Sequence, residues 1–168
     1  MATWIIGNIT ATSGNIHVGN GNELTVKTTS GNIKTGDIKA GVLNATSGNI
    51  TAGNIGEAKI TLSSGNIKVE NTNKITAKAT SGGININEIN GFCDLNCKSG
   101  SIKIEKCNLN ENSSIHATSG GVKIKETNDI YIDAKVSSGD IKVENNNRLS
   151  EIELKIETTS GGIRVNNK

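Results

Sequence analysis

Proline is absent from this chain of 168 residues, and Trp, Tyr and Phe occur only once each. Large aromatic side chains dominate the packing of many cores, so the interior of this protein must instead be made of Ile, Val, Leu, Ala and Thr. The lack of proline leaves every residue with a backbone N–H to donate, as a structure made of paired strands requires. Together these absences favour many thin β-layers over one thick hydrophobic centre.

The chain also lacks a strong charge of either sign and a long apolar run, and we expect no signal peptide within its first residues. Its 18 basic and 16 acidic residues give a net charge of +2, which argues against a nucleic-acid partner. No stretch approaches the roughly 18 apolar residues of a membrane span, so we expect no membrane insertion. Residues 1–10 have neither the basic nor the apolar region of a signal peptide. A cytoplasmic location therefore stays open beside a cell-surface one.

What the sequence does contain is a repeated four-residue motif, Ser-Gly-Asn-Ile or a close variant, in nine copies. The first five serines are 17 residues apart, and the later gaps are 18, 20, 19 and 22 residues. Such regular spacing is typical of a repeat architecture in which one structural unit is stacked many times. The glycines of the nine copies are Gly14, Gly31, Gly48, Gly65, Gly82, Gly100, Gly120, Gly139 and Gly161.

Positions at equal distances from each serine carry the same kind of residue. In the third copy, Leu43 and Ala45 flank the polar Asn44 before the serine, and Ile50 and Ala52 follow the glycine with a polar residue between them. This alternation predicts two short strands in each unit, each with one buried side, and a weaker column eight positions after the serine indicates a third side. No segment shows the 3.6-residue period of an amphipathic helix.

We therefore predict an all-β fold, a single-stranded parallel β-helix (β-solenoid) of about nine rungs of 17–22 residues, as one domain over residues 1–168. Short strands cannot bury an apolar side alone, but rungs stacked about 4.8 Å apart cover one another. Rungs of this length suit a left-handed or a right-handed coil. We expect Trp4 to cover the first rung and the C-terminal strand, which ends near Val165, to form an open edge.

The Ser-Gly motif is predicted to form the corner between the two strands. Glycine adopts the positive φ of a sharp turn, and it leaves room for the rungs above and below. The next position holds asparagine in the first four copies, which predicts a hydrogen-bonded amide ladder in the N-terminal half of the solenoid. Those residues are Asn15, Asn32, Asn49 and Asn66. The longer loops, at residues 105–114 and 144–151, are expected in the C-terminal half.

Four positions after each serine lies an outward column rich in basic residues, which we call the basic column. One interpretation is a stripe that binds a polyanion such as an acidic polysaccharide or a teichoic acid. The other, which the sequence favours, is a solvated face with cross-rung ion pairs, each worth well under about 1 kcal/mol. The expected pairs are Lys68/Glu70, Lys103/Glu105 and Lys142/Glu144. The basic column consists of Lys34, Lys68, Lys103, Lys123, Lys142 and Arg164.

The three cysteines, Cys93, Cys97 and Cys107, fall on inward columns and include no CxxC pair. A free cysteine packs as a small hydrophobic residue, so we expect all three to fill the core. The only histidines, His17 and His116, fall on outward columns away from them. We accordingly expect no metal site and no cofactor.

Catalysis has little support in the sequence. The lyases and glycosidases built on parallel β-helices need clustered carboxylates, or a carboxylate with arginine, in a cleft. Here Arg148 and Arg164 are the only arginines, and neither a six-residue repeat nor a calcium-binding nonapeptide repeat is present. The sequence therefore predicts a protein that is not an enzyme.

The repeated Ser-Gly-Asn/Asp/Gly-Ile motif, with Thr or Ser before it and alternating apolar columns around it, resembles a bacterial adhesin family of β-solenoid domains. The resemblance extends over residues 5–165. It implies a right-handed coil and a non-enzymatic, surface-associated or scaffold role without a defined ligand. We expect a location at the cell surface or outside the cell, with a cell-surface polysaccharide or another protein as partner. The alternative is a self-assembling scaffold, similar in principle to bactofilins, whose uncapped ends stack end to end.

Overall fold

The computed structural model describes residues 6–167, a part of the chain that consists of strands and turns without a helix. The strands pair in parallel in one 15-stranded sheet that coils around a single core, which confirms the predicted β-solenoid. Trp4, expected to cover the first rung, lies outside the described residues. The strands are β1 (Ile6–Ser13), β2 (Ile16–Val18), β3 (Gly21–Ser30), β4 (Ile33–Thr35), β5 (Ile38–Ser47), β6 (Ile50–Ser64), β7 (Ile67–Ser81), β8 (Ile84–Ser99), β9 (Ile102–Leu109), β10 (Ser113–Ser119), β11 (Val122–Thr127), β12 (Tyr131–Ser138), β13 (Ile141–Glu144), β14 (Glu153–Ser160) and β15 (Ile163–Asn167).

Two faces of the coil meet at the Ser-Gly corner. The first face precedes the corner, and in it Val26 of β3 pairs with Leu43 of β5. The second face follows the corner, and there Ile33 of β4 pairs with Ile50 of β6. Because the offset between paired residues equals one repeat, each residue lies beside its own equivalent in the next rung. Apolar columns therefore stay inside and polar columns stay outside along the coil.

The core is a stack of medium-sized aliphatic side chains. Ile50, Ile67 and Ile84 follow one another three positions after the corner serines, and none of them is exposed to solvent. Burial of one such side chain contributes roughly 1.5–3 kcal/mol. Since each rung has little interior of its own, the stacking of these columns supplies the hydrophobic stabilisation of the solenoid.

Hydrogen bonds between successive Ser-Gly corners connect the rungs. The N–H of Gly48 donates to the carbonyl of Ser64 at 3.1 Å, and the same bond recurs from corner to corner. All nine corner glycines have a positive φ, between 108° and 139°. An added Cβ at each corner glycine after the first would overlap the glycine of an adjacent rung. Both the turn and the stacking therefore require glycine.

The predicted asparagine ladder lies beside these corners. The side-chain carbonyl of Asn15 accepts a bond from the backbone N–H of Asn32 at 3.0 Å, and Asn32 does the same for Asn49 at 2.8 Å. Asn66 ends the ladder by accepting from the N–H of Gly83 at 2.9 Å. The ladder is thus confined to the N-terminal half, as predicted.

The last two repeats do not stack in chain order. The ninth repeat (β14 and β15) lies between the seventh (β10 and β11) and the eighth (β12 and β13). The coil consequently advances in chain order for about seven turns, so the predicted count of about nine rungs is slightly high. The open edge at this end is formed by β12 and β13. The prediction that the C-terminal strand forms it is wrong.

One of the two predicted long loops is largely strand. β9 continues to Leu109 and β10 begins at Ser113, so only residues 110–112 connect them. Cys107 and Leu109 are buried and extend the apolar alternation past the second face. The other predicted loop is present, because β13 ends at Glu144 and the next strand begins at Glu153.

Candidate functional site

The basic column runs along the second face. In the N-terminal half its members alternate with neutral residues, since Thr51 lies between Lys34 and Lys68, and Asn85 lies between Lys68 and Lys103. The lysines there are exposed, whereas the two neutral residues are partly buried. In this half the positive charges are therefore two rungs apart, about 10 Å.

In the C-terminal half the basic residues become direct neighbours. Lys103 pairs with Lys123, Lys123 with Arg164, and Arg164 with Lys142, so that four successive rungs each present a cation. We call these four residues the basic run. All four side chains are exposed, and neighbouring rungs are about 4.8 Å apart. Arg164 lies between the two lysines only because the ninth repeat is inserted before the eighth.

Carboxylates neutralise the basic run only at its end. Lys142 contacts Glu144 at 2.7 Å, and this contact, with a smaller contribution from Arg164, lowers the pKa of the Glu144 carboxyl. No described carboxylate lies within ion-pair distance of Lys103, Lys123 or Arg164. Like charges this close repel one another, which favours an anionic ligand over an empty surface.

The expected ion pairs are therefore only partly present. Lys68 contacts Glu70 at 3.0 Å, but this pair, like Lys142 with Glu144, joins two residues of one strand and is not cross-rung. Glu105 pairs with Lys125 of the neighbouring rung, so the expected partner Lys103 is wrong. Because Glu105 pairs with Lys125, the Lys103 ammonium on the basic run has no described carboxylate within ion-pair distance.

A groove of about 320 Å³ follows the basic run. Gly121 and Gly162 line it beside the cations, and their lack of side chains lets a ligand approach the backbone. Ser101 adds a hydroxyl, while Asp140 adds one carboxylate at the end of the groove. The groove therefore combines a row of cations with one anion at its edge.

A larger groove, of about 670 Å³, lies at another corner of the N-terminal rungs. Its wall holds a second polar ladder that sequence analysis missed, formed by Asn20, Asp37, Asn54 and Asn71. The signal was available, because these residues recur at the same 17-residue spacing as the serines. Their side chains bond mainly to one another, for example Asn71 to Asn54 at 2.6 Å. This groove therefore offers fewer unused polar groups to a ligand than the basic run does.

Salt bridges also cover part of the first face, near its C-terminal end. Lys155 contacts Glu157 at 2.9 Å, and this contact raises the pKa of Lys155 and lowers that of Glu157. Glu157 also lies 3.9 Å from Nδ1 of His116. Cations and anions balance here, unlike on the basic run, so this face shows no preference for a charged ligand.

The three cysteines are buried, as predicted. The thiol of Cys97 donates to the carbonyl of Gly82 at 3.1 Å, and burial raises its pKa. Hydrogen bonding with Cys93, together with burial, holds the pKa of Cys107 well above its usual value. Neither of these two thiols has the lowered pKa of a reactive cysteine.

We expect the native thiols to react with a maleimide orders of magnitude more slowly than the same thiols in denaturant, because all three side chains are buried and shielded from the reagent. Mass spectrometry of labelled protein over time checks this. A Lys123→Cys variant serves as the matched control, since its exposed thiol should react rapidly while the three native thiols do not. Equal rates for the native thiols before and after unfolding would show that the core is open.

Among the described residues, no group of three or more His, Cys, Asp and Glu side chains is arranged to hold a metal ion. Within the same residues, no helix is long and apolar enough to cross a membrane.

Comparison with known proteins gives a family for this fold. A family model described as Toastrack DUF4097 matches residues 50–168, more than half of the chain. Neither the curated proteins nor the solved structures gave a match. The matched region contains the whole basic run and the reordered last repeats. An adhesin role stays a prediction, but the expected membership of a β-solenoid family is confirmed: the chain belongs to the Toastrack DUF4097 family.

Proposed function

We propose that this domain is a non-enzymatic, surface-associated binding module that holds a linear polyanion along its basic run. The observation that carries the proposal is the in-register row Lys103, Lys123, Arg164 and Lys142, three of which have no described carboxylate partner. A row of single cations on successive rungs matches a ligand with repeated anionic groups. A globular ligand with one charge would contact only a small part of this row of cations.

The rigidity of the solenoid supports this proposal. The backbone under Lys103, Lys123 and Arg164 is fixed by hydrogen bonds on both sides, such as Val122 N–H to the carbonyl of Gly162 at 2.9 Å, and the strand that carries Lys142 is paired on one side. A preformed row of cations loses little backbone entropy when a ligand binds. Arginine and lysine form charge-assisted hydrogen bonds with phosphate or carboxylate oxygens, which are stronger than neutral ones. The groove glycines let such oxygens come close to the backbone.

The ligand class that fits is an anionic cell-surface polymer, either a teichoic acid or an acidic polysaccharide. Both repeat a phosphate or carboxylate along a flexible chain, and both lie where an adhesin acts. The proposed location is accordingly the cell surface or the extracellular space. Because the contacts are exposed ion pairs, salt should weaken binding strongly.

Titration calorimetry with purified teichoic acid, and in parallel with an acidic polysaccharide, tests the proposal. The variant is Lys123→Gln with Arg164→Gln, which removes the two central cations. We expect its affinity to fall about tenfold or more, equivalent to about 1.4 kcal/mol. The affinity of the unaltered protein should fall as salt is raised from low to high concentration.

A matched control removes the same charge elsewhere. Lys59→Gln with Lys78→Gln alters two exposed lysines of the first face, away from the basic run. This double variant should bind as the unaltered protein does. Equal weakening in both variants would mean that only net charge matters, and no binding of either polymer would contradict the proposed function.

The open ends favour a second candidate, the end-to-end scaffold. Ile141 on the terminal strand β13 is 44% exposed, and Ile6 on β1 at the other end is 71% exposed. Unpaired strand edges with apolar residues invite pairing between copies. Light scattering against protein concentration should then show growing linear particles, and Ile141→Asp should prevent their growth. A particle size that does not change with concentration argues against the scaffold.

A further inference from the structure

The inserted ninth repeat is bound on both of its sides by segments that precede it in the chain. On one side Gly120 N–H donates to Ser160 at 2.8 Å and Val122 N–H to Gly162 at 2.9 Å. On the other side Gly161 N–H donates to Ser138 at 3.0 Å. The seventh and eighth repeats therefore form a slot that the last segment of the chain fills.

The eighth and ninth repeats differ in apolar size mainly at one register position, where Ile156 of the ninth pairs with Ala134 of the eighth. Leu154 and Ile156 of the ninth repeat are fully buried, whereas Ala134 and Val136 in the eighth repeat, on the terminal rung, are only partly buried. An arrangement in chain order would place Ile156 on the open end and Ala134 inside. The inserted order keeps the larger side chain of this pair buried.

The connection between the eighth and ninth repeats contains a segment that forms no strand. Residues 145–152 link β13 to β14 without a strand, and Leu149 in this segment is 94% exposed. Asn146 bonds to both backbone groups of Ile132 at 2.8 Å, which anchors the start of the linker. The contacts that define the slot thus come mainly from the strands, and not from the path of the linker.

We propose that the ninth repeat is an exchangeable rung, so that the slot of one molecule also accepts residues 153–167 from a second copy of this chain. The exchanged rung would form the same hydrogen bonds and bury the same side chains, because the two copies are identical. Only the path of residues 145–152 would differ. Exchange of an identical element through a linker is a low-cost route to a dimer. The proposal is independent of polyanion binding.

A disulfide test on the full chain uses the register of the slot. Lys123 and Arg164 are direct neighbours across the boundary between the seventh and ninth repeats. Neighbouring strands are about 4.8 Å apart, within the Cα separation that a disulfide spans. One preparation carries Lys123→Cys and a second carries Arg164→Cys. The two are mixed, unfolded, refolded together at high concentration and then oxidised.

We expect a disulfide-linked heterodimer joined between positions 123 and 164, identified by peptide mass spectrometry. The control mixes Lys78→Cys with Arg164→Cys, because position 78 lies on the first face and reports only random collisions. A linkage between positions 123 and 164 several-fold more abundant than the control supports exchange. End-to-end stacking would not produce it, since stacked molecules keep these positions in separate slots.

A shortened linker gives the second measurement. Deletion of residues 147–150 should hinder the ninth repeat from reaching its own slot and should raise the dimer fraction in size-exclusion chromatography. If mixed chains link positions 123 and 164 no more often than the control pair, the exchange proposal is wrong. It is also wrong if the deletion variant folds and stays monomeric at every concentration at which the mixed chains are refolded.

Discussion

Replacement of Ile67 by aspartate is expected to unfold the solenoid. Ile67 is fully buried, between Ile50 and Ile84 of the adjacent rungs. The substitution removes roughly 1.5–3 kcal/mol of burial and places a carboxylate where it has no cation, which costs several kcal/mol more. Together these losses approach the roughly 5–15 kcal/mol that stabilise a typical domain. Circular dichroism during thermal and urea unfolding measures the effect.

The matched control is Ile141→Asp, in the same column on the terminal rung. Ile141 is 44% exposed because no described strand covers its outer side, so a carboxylate there stays hydrated. This variant should keep a cooperative transition with only a small loss of stability. A transition for Ile67→Asp at the temperature of the unaltered protein would contradict the column assignment.

The columns could be predicted from the sequence because a stacked solenoid repeats one local pattern. Each corner glycine marks the position from which the alternation is counted. The apolar and polar residues on either side of it then give the inward and outward sides of both strands. Ile67, Lys68 and Val69 illustrate this, as the two apolar residues are buried and the lysine is exposed. Strand identity, burial and the amide ladder all follow from such short-range information.

The order of the last rungs could not be predicted in this way. Any corner of this type can stack on any other, because the serine and glycine groups that bond are the same in every repeat. The paired core positions of the eighth and ninth repeats differ in size mainly where Ala134 lies beside Ile156, and the inserted order keeps the larger isoleucine buried. This difference in side-chain size predicts the order of the last rungs only when the open end of the stack is known.

The sequence predicted that the basic residues of the candidate site share one outward column. It did not predict that four of them lie on successive rungs as the basic run. Spacing gives the outward position of Lys103, Lys123 and Arg164, yet the choice between a neutralised face and an unneutralised one depends on which cation each carboxylate reaches. Glu105 reaches Lys125 across the rungs, and this leaves Lys103 without an ion pair among the described residues. Side-chain conformations of this kind have no signature in a repeat pattern.

Replacement of Gly82 by alanine is expected to be as damaging as a charge in the core. Gly82 has a φ of 117°, which costs a side-chain-bearing residue about 1–3 kcal/mol. An added Cβ would also overlap the backbone carbonyl of Gly65 in the preceding rung. Because that carbonyl is backbone, it cannot rotate away, and the two rungs must separate and weaken the bonds between their corners. We expect loss of the cooperative transition, or a large drop in its midpoint, in urea unfolding followed by circular dichroism.

Gly14→Ala separates the cost of the positive φ from the cost of the steric overlap between rungs. Gly14 is the first corner and has a similar φ of 108°, but an added Cβ there meets no described atom within 4 Å. Its cost should therefore be the backbone strain alone, about 1–3 kcal/mol, with a cooperative transition retained. If the two alanine variants lose equal stability, the turn conformation and not the stacking explains the repeated glycine. If Gly82→Ala loses far more, the spacing between rungs is what requires glycine at every corner after the first.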